Sequence, residues 1–143
     1  MLLYVSLLLT TLLCTLVAGF LFSFAAVVMP GIKQLDNRQY LRAFQVIDGV
    51  IQNNQPLFMA IWVGSVVFLV LSLVLAFDRL QGHDLTLLLL AGTIYIAGTQ
   101  LPTAAIHLPL NNAVQRLNID ELTEAELVIE RKAFEPRWTR SNI

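Results

Sequence analysis

Three long stretches without a single Asp, Glu, Lys or Arg set the pattern of this chain: Leu2–Met29, Leu57–Phe77 and Leu85–Ile106. At about 1.5 Å of helical rise per residue, each can cross a hydrocarbon layer roughly 30 Å thick. The pattern predicts an all-α integral membrane protein of one domain, residues 1–143. Transmembrane helices are expected over about 2–29, 56–77 and 85–106, followed by a tail over 107–143. Thr11, Thr15, Gly19 and Ser23 form a small-xxx-small series on the first span, a ridge on which another helix can pack closely. Pro30-Gly31 is expected to stop that span.

Between spans one and two the period changes. Tyr40, Phe44, Ile47 and Ile51 recur at helical spacing with Arg38, Arg42, Gln45 and Asp48 between them. This predicts an amphipathic helix at the membrane surface or over the mouth of the bundle. Asp36, with Gln39 three residues on, supplies a capping-box-like start, and Asn53-Asn54-Gln55-Pro56 breaks the helix. In the tail, Thr123 and Glu126 form a second capping box, which opens a helix expected to run to about Phe134.

Composition sharpens the membrane reading. Of 143 residues, 57% are hydrophobic and 13% charged, about half the charged share of a water-soluble domain. The N-terminus lacks the basic n-region and the Ala-x-Ala-like site of a cleaved signal peptide, so the first span is read as retained. A formal net charge of −1 gives no basic face for nucleic acid. The implied partners are the lipid bilayer and other membrane helices, in a homo-oligomer or a larger complex. Lys33, Arg38 and Arg42 flank one side of the spans together with Arg116, Arg131, Lys132, Arg137 and Arg140; Arg79 stands on the other. The positive-inside rule then puts the N-terminus outside and the tail in the cytoplasm, as for a bacterial inner-membrane protein.

Candidate chemistry gathers where the third span ends. Tyr95, Thr99, Thr103 and His107 follow one another at i+4, Gln100 lies at lipid depth and needs a polar partner, and Asn111 and Asn112 follow Pro109. His107 is either a general base or a structural residue capping a helix end. Asn111 and Asn112 either turn the chain or donate amide N–H groups, and Asn53 either ends its helix or does the same. Trp138, with Arg137 and Arg140, is either an interfacial anchor or a ring-stacking residue. His83 reads as a loop residue and the lone Cys14 as a packing residue in the first span. No metal-ligand spacing, nucleophile elbow or phosphate loop occurs.

Several blocks resemble one family. Gly19-Phe20…Phe22-Ser23-Phe24 leads to Val27-Val28-Met29-Pro30-Gly31; Ile51-Gln52-Asn53 precedes span two; Leu108-Pro109-Leu110-Asn111-Asn112 follows span three; Arg137-Trp138-Thr139-Arg140-Ser141-Asn142 comes last. In this order they are similar to the recurring blocks of a bacterial and fungal family of small four-helix membrane proteins, largely of unknown function, that includes the anthrone oxygenases. The resemblance implies a final helix after the Trp-x-x-x-Asn block, so a chain ending at Ile143 is expected to be a fragment or a member without that helix.

It also implies a reaction. An anthrone carries an acidic C–H, and its enolate can reduce O₂ without a bound cofactor. His107 would be the base, Asn53, Asn111 or Asn112 the oxyanion donors, and Trp138 the stacking ring, with Tyr95, Thr99, Gln100 and Thr103 lining the site. No cofactor is called for, although a bound quinone or pigment stays open. The alternative from another class is a non-catalytic accessory or scaffold subunit, which the small-residue ridge would suit.

Overall fold

The computed structural model describes residues 1–142, so Ile143 lies outside it. No strand occurs among the described residues. The α-helices are α1 Leu2–Ser23, α2 Met29–Ile32, α3 Asn37–Gln52, α4 Pro56–Ala76, α5 Gly82–Tyr95, α6 Leu108–Gln115 and α7 Glu124–Ser141. Three helical stretches are long and apolar enough to cross a membrane: Leu2–Ile32, Pro56–Ala76 and Gly82–Gln115.

Two of these run past the points where the sequence led us to expect a stop. Helix continues through Pro30 to Ile32, and through Pro102 and Pro109 to Gln115. Each of these prolines follows a π-helical turn at the same offset: Phe24–Val28 before Pro30, Ile96–Gln100 before Pro102, Thr103–His107 before Pro109. Within an α-helix a proline ring collides with the carbonyl four residues back. Those carbonyls belong to Ala26, Gly98 and Ala105, and each lies inside the widened turn. The residue before each proline bonds five back instead: Met29 N–H to Phe24 O, Leu101 N–H to Ile96 O, Leu108 N–H to Thr103 O. Pro136 sits inside α7 without such a turn, and nothing in the structure explains the difference.

The chain divides into two compact units. The first comprises Met1–Phe20 and Pro56–Leu101. Its interior mixes Leu3, Val17, Leu69 and Ala76 with small hydroxyl side chains, and its surface is apolar. Ser6, Thr10 and Ser72 are buried, with Ser72 Oγ 2.8 Å from Ser6 Oγ and 2.9 Å from Thr10 Oγ1. Outward-facing Leu8 and Val74 are 72% and 65% exposed, the arrangement expected of helices solvated by lipid. The ridge Thr11, Thr15 and Gly19 is exposed rather than packed; α1 buries the adjacent series Leu3, Ser6, Thr10 and Val17. Close approach uses other glycines. A Cβ at Gly64 would meet Leu13 Cδ1 at 3.2 Å, and one at Gly92 would meet Leu69 and Leu73 at 3.5 Å.

The second unit comprises Leu21–Gln55 and the chain from Pro102 onward. Asp36 Oδ1 caps α3 by accepting from Gln39 N–H at 2.8 Å. The inward face of α3 is Tyr40, Leu41, Phe44 and Asp48, turned from the expected Tyr40, Phe44, Ile47, Ile51 stripe. The polar residues of α3 clamp the 116–123 loop. Arg38 donates to the carbonyls of Ile119 and Leu122, Arg42 pairs with Asp120, and Gln45 Nε2 donates to Val114 O and Leu117 O. Helix α3 therefore covers α6 and α7 instead of presenting its polar face to solvent.

Thr123 and Glu126 form the expected reciprocal capping box. Helix α7 runs beyond Phe134 to Ser141, which carries Trp138 into a cluster of rings. Phe44 and Phe134 lie 4.4 Å apart, and Trp138 lies 6.0 Å from Phe24 and 6.1 Å from Phe44. At the other end of this cluster the Arg131 guanidinium sits 4.2 Å over the Tyr40 ring and donates to the carbonyls of Lys33 and Leu35. Burial pushes the Tyr40 phenol pKa up, the Glu135 charge adds to this, and Arg131 offsets part of it.

Candidate functional site

The second unit assembles a continuous chain of polar side chains from elements far apart in sequence. It begins at Asp48, whose carboxylate is buried at 3% exposure. Four-residue spacing puts Asp48 and Gln52 on one line of α3 and Asn111 and Gln115 on one line of α6. Asn111 Nδ2 donates to Asp48 Oδ1 at 2.8 Å, and Gln115 Nε2 donates to Asp48 Oδ2 at 2.9 Å. Gln52 Nε2 reaches the same Oδ2 at 3.1 Å and Asn112 Oδ1 at 3.0 Å. Three amides thus replace the water that a buried carboxylate gives up.

The chain continues through Asn111. Its Oδ1 accepts from Trp138 Nε1–H at 3.0 Å, so the amide holds the indole on one side and the carboxylate on the other. Trp138 in turn presents its ring to His107, with centroids 5.0 Å apart and planes at 74°. The expected interfacial anchor is thereby a buried one, 5% exposed. Its polar edge is satisfied by an amide, as buried indoles require.

His107 is itself buried, at 8% exposure. It lies in the π-turn before Pro109, within a continuing helix, and not at the helix end that the sequence suggests. Nε2 is 3.3 Å from Ser141 Oγ, and Ser141 Oγ also donates to Trp138 O at 3.1 Å. A serine hydroxyl has one proton. With that proton on Trp138 O, the bond to His107 requires Nε2 to carry the hydrogen and Ser141 Oγ to accept it. This assigns the neutral tautomer from the network and leaves the Nδ1 lone pair bare. Nδ1 is indeed buried without a hydrogen-bond partner, as is Asn142 Nδ2, a donor one residue beyond Ser141. An unsatisfied buried group costs about 1–3 kcal/mol, so this unit retains both an acceptor and a donor at a price in stability.

A groove of ≈ 380 Å³ lies alongside, lined by Ile106, Pro136, Arg137, Arg140 and Ser141. Among the described residues no group of three or more His, Cys, Asp or Glu side chains comes together to hold a metal.

Of the residues singled out from sequence, His107, Asn111, Asn112 and Trp138 therefore meet in one network. Asn53 is an exposed C-cap of α3, with its backbone N–H on Gly49 O. Tyr95 and Gln100 belong to the other unit. There the Tyr95 hydroxyl lies 2.6 Å from Ser65 Oγ and accepts from Gln100 Nε2 at 3.0 Å, which supplies the partner Gln100 needs. Thr99 and Thr103 are half-buried, and neither side chain joins this network. Asp48, Ser141 and Asn142 were missed. Asp48 carried a usable signal, because it continues the Tyr40–Phe44 line at i+4.

No curated protein and no solved structure matches this chain. The family model described as anthrone oxygenase matches residues 57–143, more than half of the sequence and a stretch that includes His107, Asn111, Trp138 and Asn142. The chain belongs to the anthrone oxygenase family.

Proposed function

We propose that this protein is a membrane oxidoreductase that oxidises a lipophilic, enolisable aromatic ketone with O₂, using His107 as general base. The observation that carries the reading is the buried imidazole with Nε2 committed to Ser141 and Nδ1 unpaired. A base of this type has an ordinary pKa near neutrality, which suits a carbon acid activated by a carbonyl and two flanking rings.

His107 Nδ1 takes a proton from the methylene carbon, and Asn142 Nδ2 donates to the oxygen on which the enolate charge settles. The enolate passes one electron to O₂, and the resulting carbon radical and superoxide join in a C–O bond. The peroxide takes up the proton held by His107. Loss of the second methylene proton and cleavage of the O–O bond release water. The balance is CH₂ + O₂ → C=O + H₂O. Asn111 has no part in proton transfer. Held between Asp48 and Trp138, it fixes the indole against which His107 is oriented.

Substrate-dependent O₂ uptake in detergent or lipid tests the reading. His107→Ala is expected to slow it by about 10²–10⁴-fold, the usual range for a lost general base. His107→Gln should be nearly as slow, because it keeps a hydrogen bond without basicity. Ser141→Ala removes the hydroxyl's bonds to His107 Nε2 and to Trp138 O, and loss of the neutral bond at the base should cost roughly 2- to 13-fold. Equal uptake by wild type and well-folded His107→Ala would remove the residue from the chemistry. That result would favour the reading of a non-catalytic membrane subunit.

A further inference from the structure

We infer that Asp48 is a positioning residue for the reaction: its buried carboxylate, which no cation neutralises, acts through Asn111 and Trp138 as counter-charge to the imidazolium that His107 becomes. The inference deepens the reading of His107 as the base and rests on it for the rate effects alone. Asp48 is 3% exposed, and a buried charge ordinarily has a partner of opposite sign. The ion pairs among the described residues are Arg38 with Glu124, Arg42 with Asp120 and Arg131 with Glu135, and none includes Asp48. Its partners are neutral amides that each present an N–H: Asn111 to Oδ1, Gln115 and Gln52 to Oδ2. A protonated carboxyl would need an acceptor for its own hydrogen, so this donor set fits the anion. The hydrogen bonds satisfy the oxygens without cancelling the charge.

The path from that charge to His107 is made of dipoles laid head to tail. Asn111 turns its N–H end to Asp48 and its carbonyl end to the Trp138 N–H. The indole in turn meets the imidazole at 74°, with centroids 5.0 Å apart. Each dipole is aligned by the one before it and passes negative potential towards His107. His107 precedes Asn111 by one helical turn, which puts the two charges ~10 Å apart. At an effective dielectric constant of ~20, one charge at that distance moves a titration by about one pH unit. The other charged groups about the imidazole come from α7. Arg137 and Arg140 line the groove beside Ser141 and oppose the imidazolium, but they are exposed and water screens them. Arg131 and Glu135, farther down α7, neutralise each other at 2.8 Å. The first span brings Phe24 to the Trp138 ring and α6 brings Asn111, neither of them charged. Asp48 is thus the anion that favours the protonated base.

The test follows the His107 imidazole directly, by NMR of ring-labelled histidine in the full chain in nanodiscs. His83→Gln leaves His107 as the only histidine, since the sequence holds two. Asp48→Asn should lower the pH midpoint of His107 by about one unit. Asp48→Glu, which keeps the charge, should retain most of the original value. Gln52 is exposed and four residues from Asp48, so Gln52→Lys brings a cation to the intact carboxylate. It should move the midpoint in the same direction by less. O₂ uptake with anthrone adds a readout that a merely structural role would not move. The acid limb of its pH profile should follow the midpoint down in Asp48→Asn, while the plateau falls about 3- to 10-fold, as for a base one unit weaker. Lost packing alone would lower the plateau and leave the limb in place. An unmoved midpoint in folded Asp48→Asn would overturn the inference. If that variant does not fold, Gln52→Lys decides, and an unmoved midpoint there overturns the inference equally. The midpoints need no turnover, whereas His107→Ala is scored on O₂ uptake. Failure of the base assignment and failure of the counter-charge are therefore read separately.

Discussion

Asp48 Oδ1 and Asn111 Nδ2, 2.8 Å apart, join α3 to α6 across sixty-three residues of sequence. The bond is charge-assisted and part-buried, and the same amide continues to Trp138. The orientation of the indole therefore depends on a carboxylate that never touches it.

Replacing Asp48 by Leu leaves Asn111 Nδ2 facing an apolar surface, while Gln115 Nε2 keeps Gln45 O and Gln52 Nε2 keeps Asn112 Oδ1. Each buried donor left unsatisfied costs about 1–3 kcal/mol. Asp48→Leu is thus expected to lower the denaturation midpoint in detergent markedly, and Asp48→Asn less so. A variant Asp48→Leu as stable as wild type would show that the network contributes little to folding.

Asp48 and Trp138 act on a shared partner, so their effects should not add. Trp138→Phe keeps an aromatic ring but removes the donor to Asn111 Oδ1. A double-mutant cycle with Asp48→Asn is expected to return a coupling of about 0.5–3 kcal/mol. Fluorescence supplies an independent check, because the sequence holds two tryptophans. Trp138, as a buried ring, should resist an aqueous quencher, and a Trp62→Phe protein should be nearly unquenchable. Free quenching of that protein would place the indole at the surface.

Helix α7 carries a pH dependence at its start. The Glu126 carboxylate accepts from the Thr123 backbone N–H and hydroxyl, and these bonds hold its pKa below the ordinary 4.5. A folded-state pKa below the unfolded value gives stability that is present above the unfolded pKa and lost as pH falls through the folded one. The first turn of α7 should therefore loosen as the pH drops from about 4.5 downward. Glu126→Gln should flatten that dependence. Amide exchange at Leu127 and its neighbours, compared between the two proteins over this range, decides it; identical profiles would refute it.

In the first unit, packing rests on Gly64 and Gly92 and not on the Gly19 ridge. A Cβ at Gly19 meets nothing within 4 Å, whereas one at Gly64 presses on Leu13 at 3.2 Å. Gly64→Leu should destabilise the single chain by about 1–3 kcal/mol through overpacking. Gly19→Leu should leave chain stability nearly as it is and act only on association between chains. The opposite order of melting temperatures would mean that α1 presents a different face.

Much of this was legible in the sequence. Runs without charge disclosed three helices long and apolar enough to cross a membrane, and the Asp36 and Thr123 caps marked the starts of α3 and α7. His107, Asn111 and Trp138 stood out as polar or amphipathic groups next to apolar ones. Their roles were harder to read. Trp138 looked interfacial because arginines flank it, yet spacing with Phe134 turns it inward. Asp48 looked solvated because charge is normally exposed, and only the amides of α6, more than sixty residues away, make its burial tolerable. Pro30 looked like a stop because proline breaks an α-helix, and the third span was expected to end at Ile106, short of Pro109; the widened turns that absorb Pro30, Pro102 and Pro109 have no signature of their own in composition.

Those widened turns bear on how the family can vary in length. A turn closed five residues back holds one more residue than a turn closed four back, so each π-turn amounts to a single inserted residue stored inside a helix. Removing that residue without the proline would drive the ring into the backbone; removing both would restore an ordinary α-helix. Relatives of this chain should therefore lose the proline and one residue of the preceding turn together, at each of the three places separately. Because Thr103–His107 is one of those turns, a relative shortened there would also have to give His107 a new bearing.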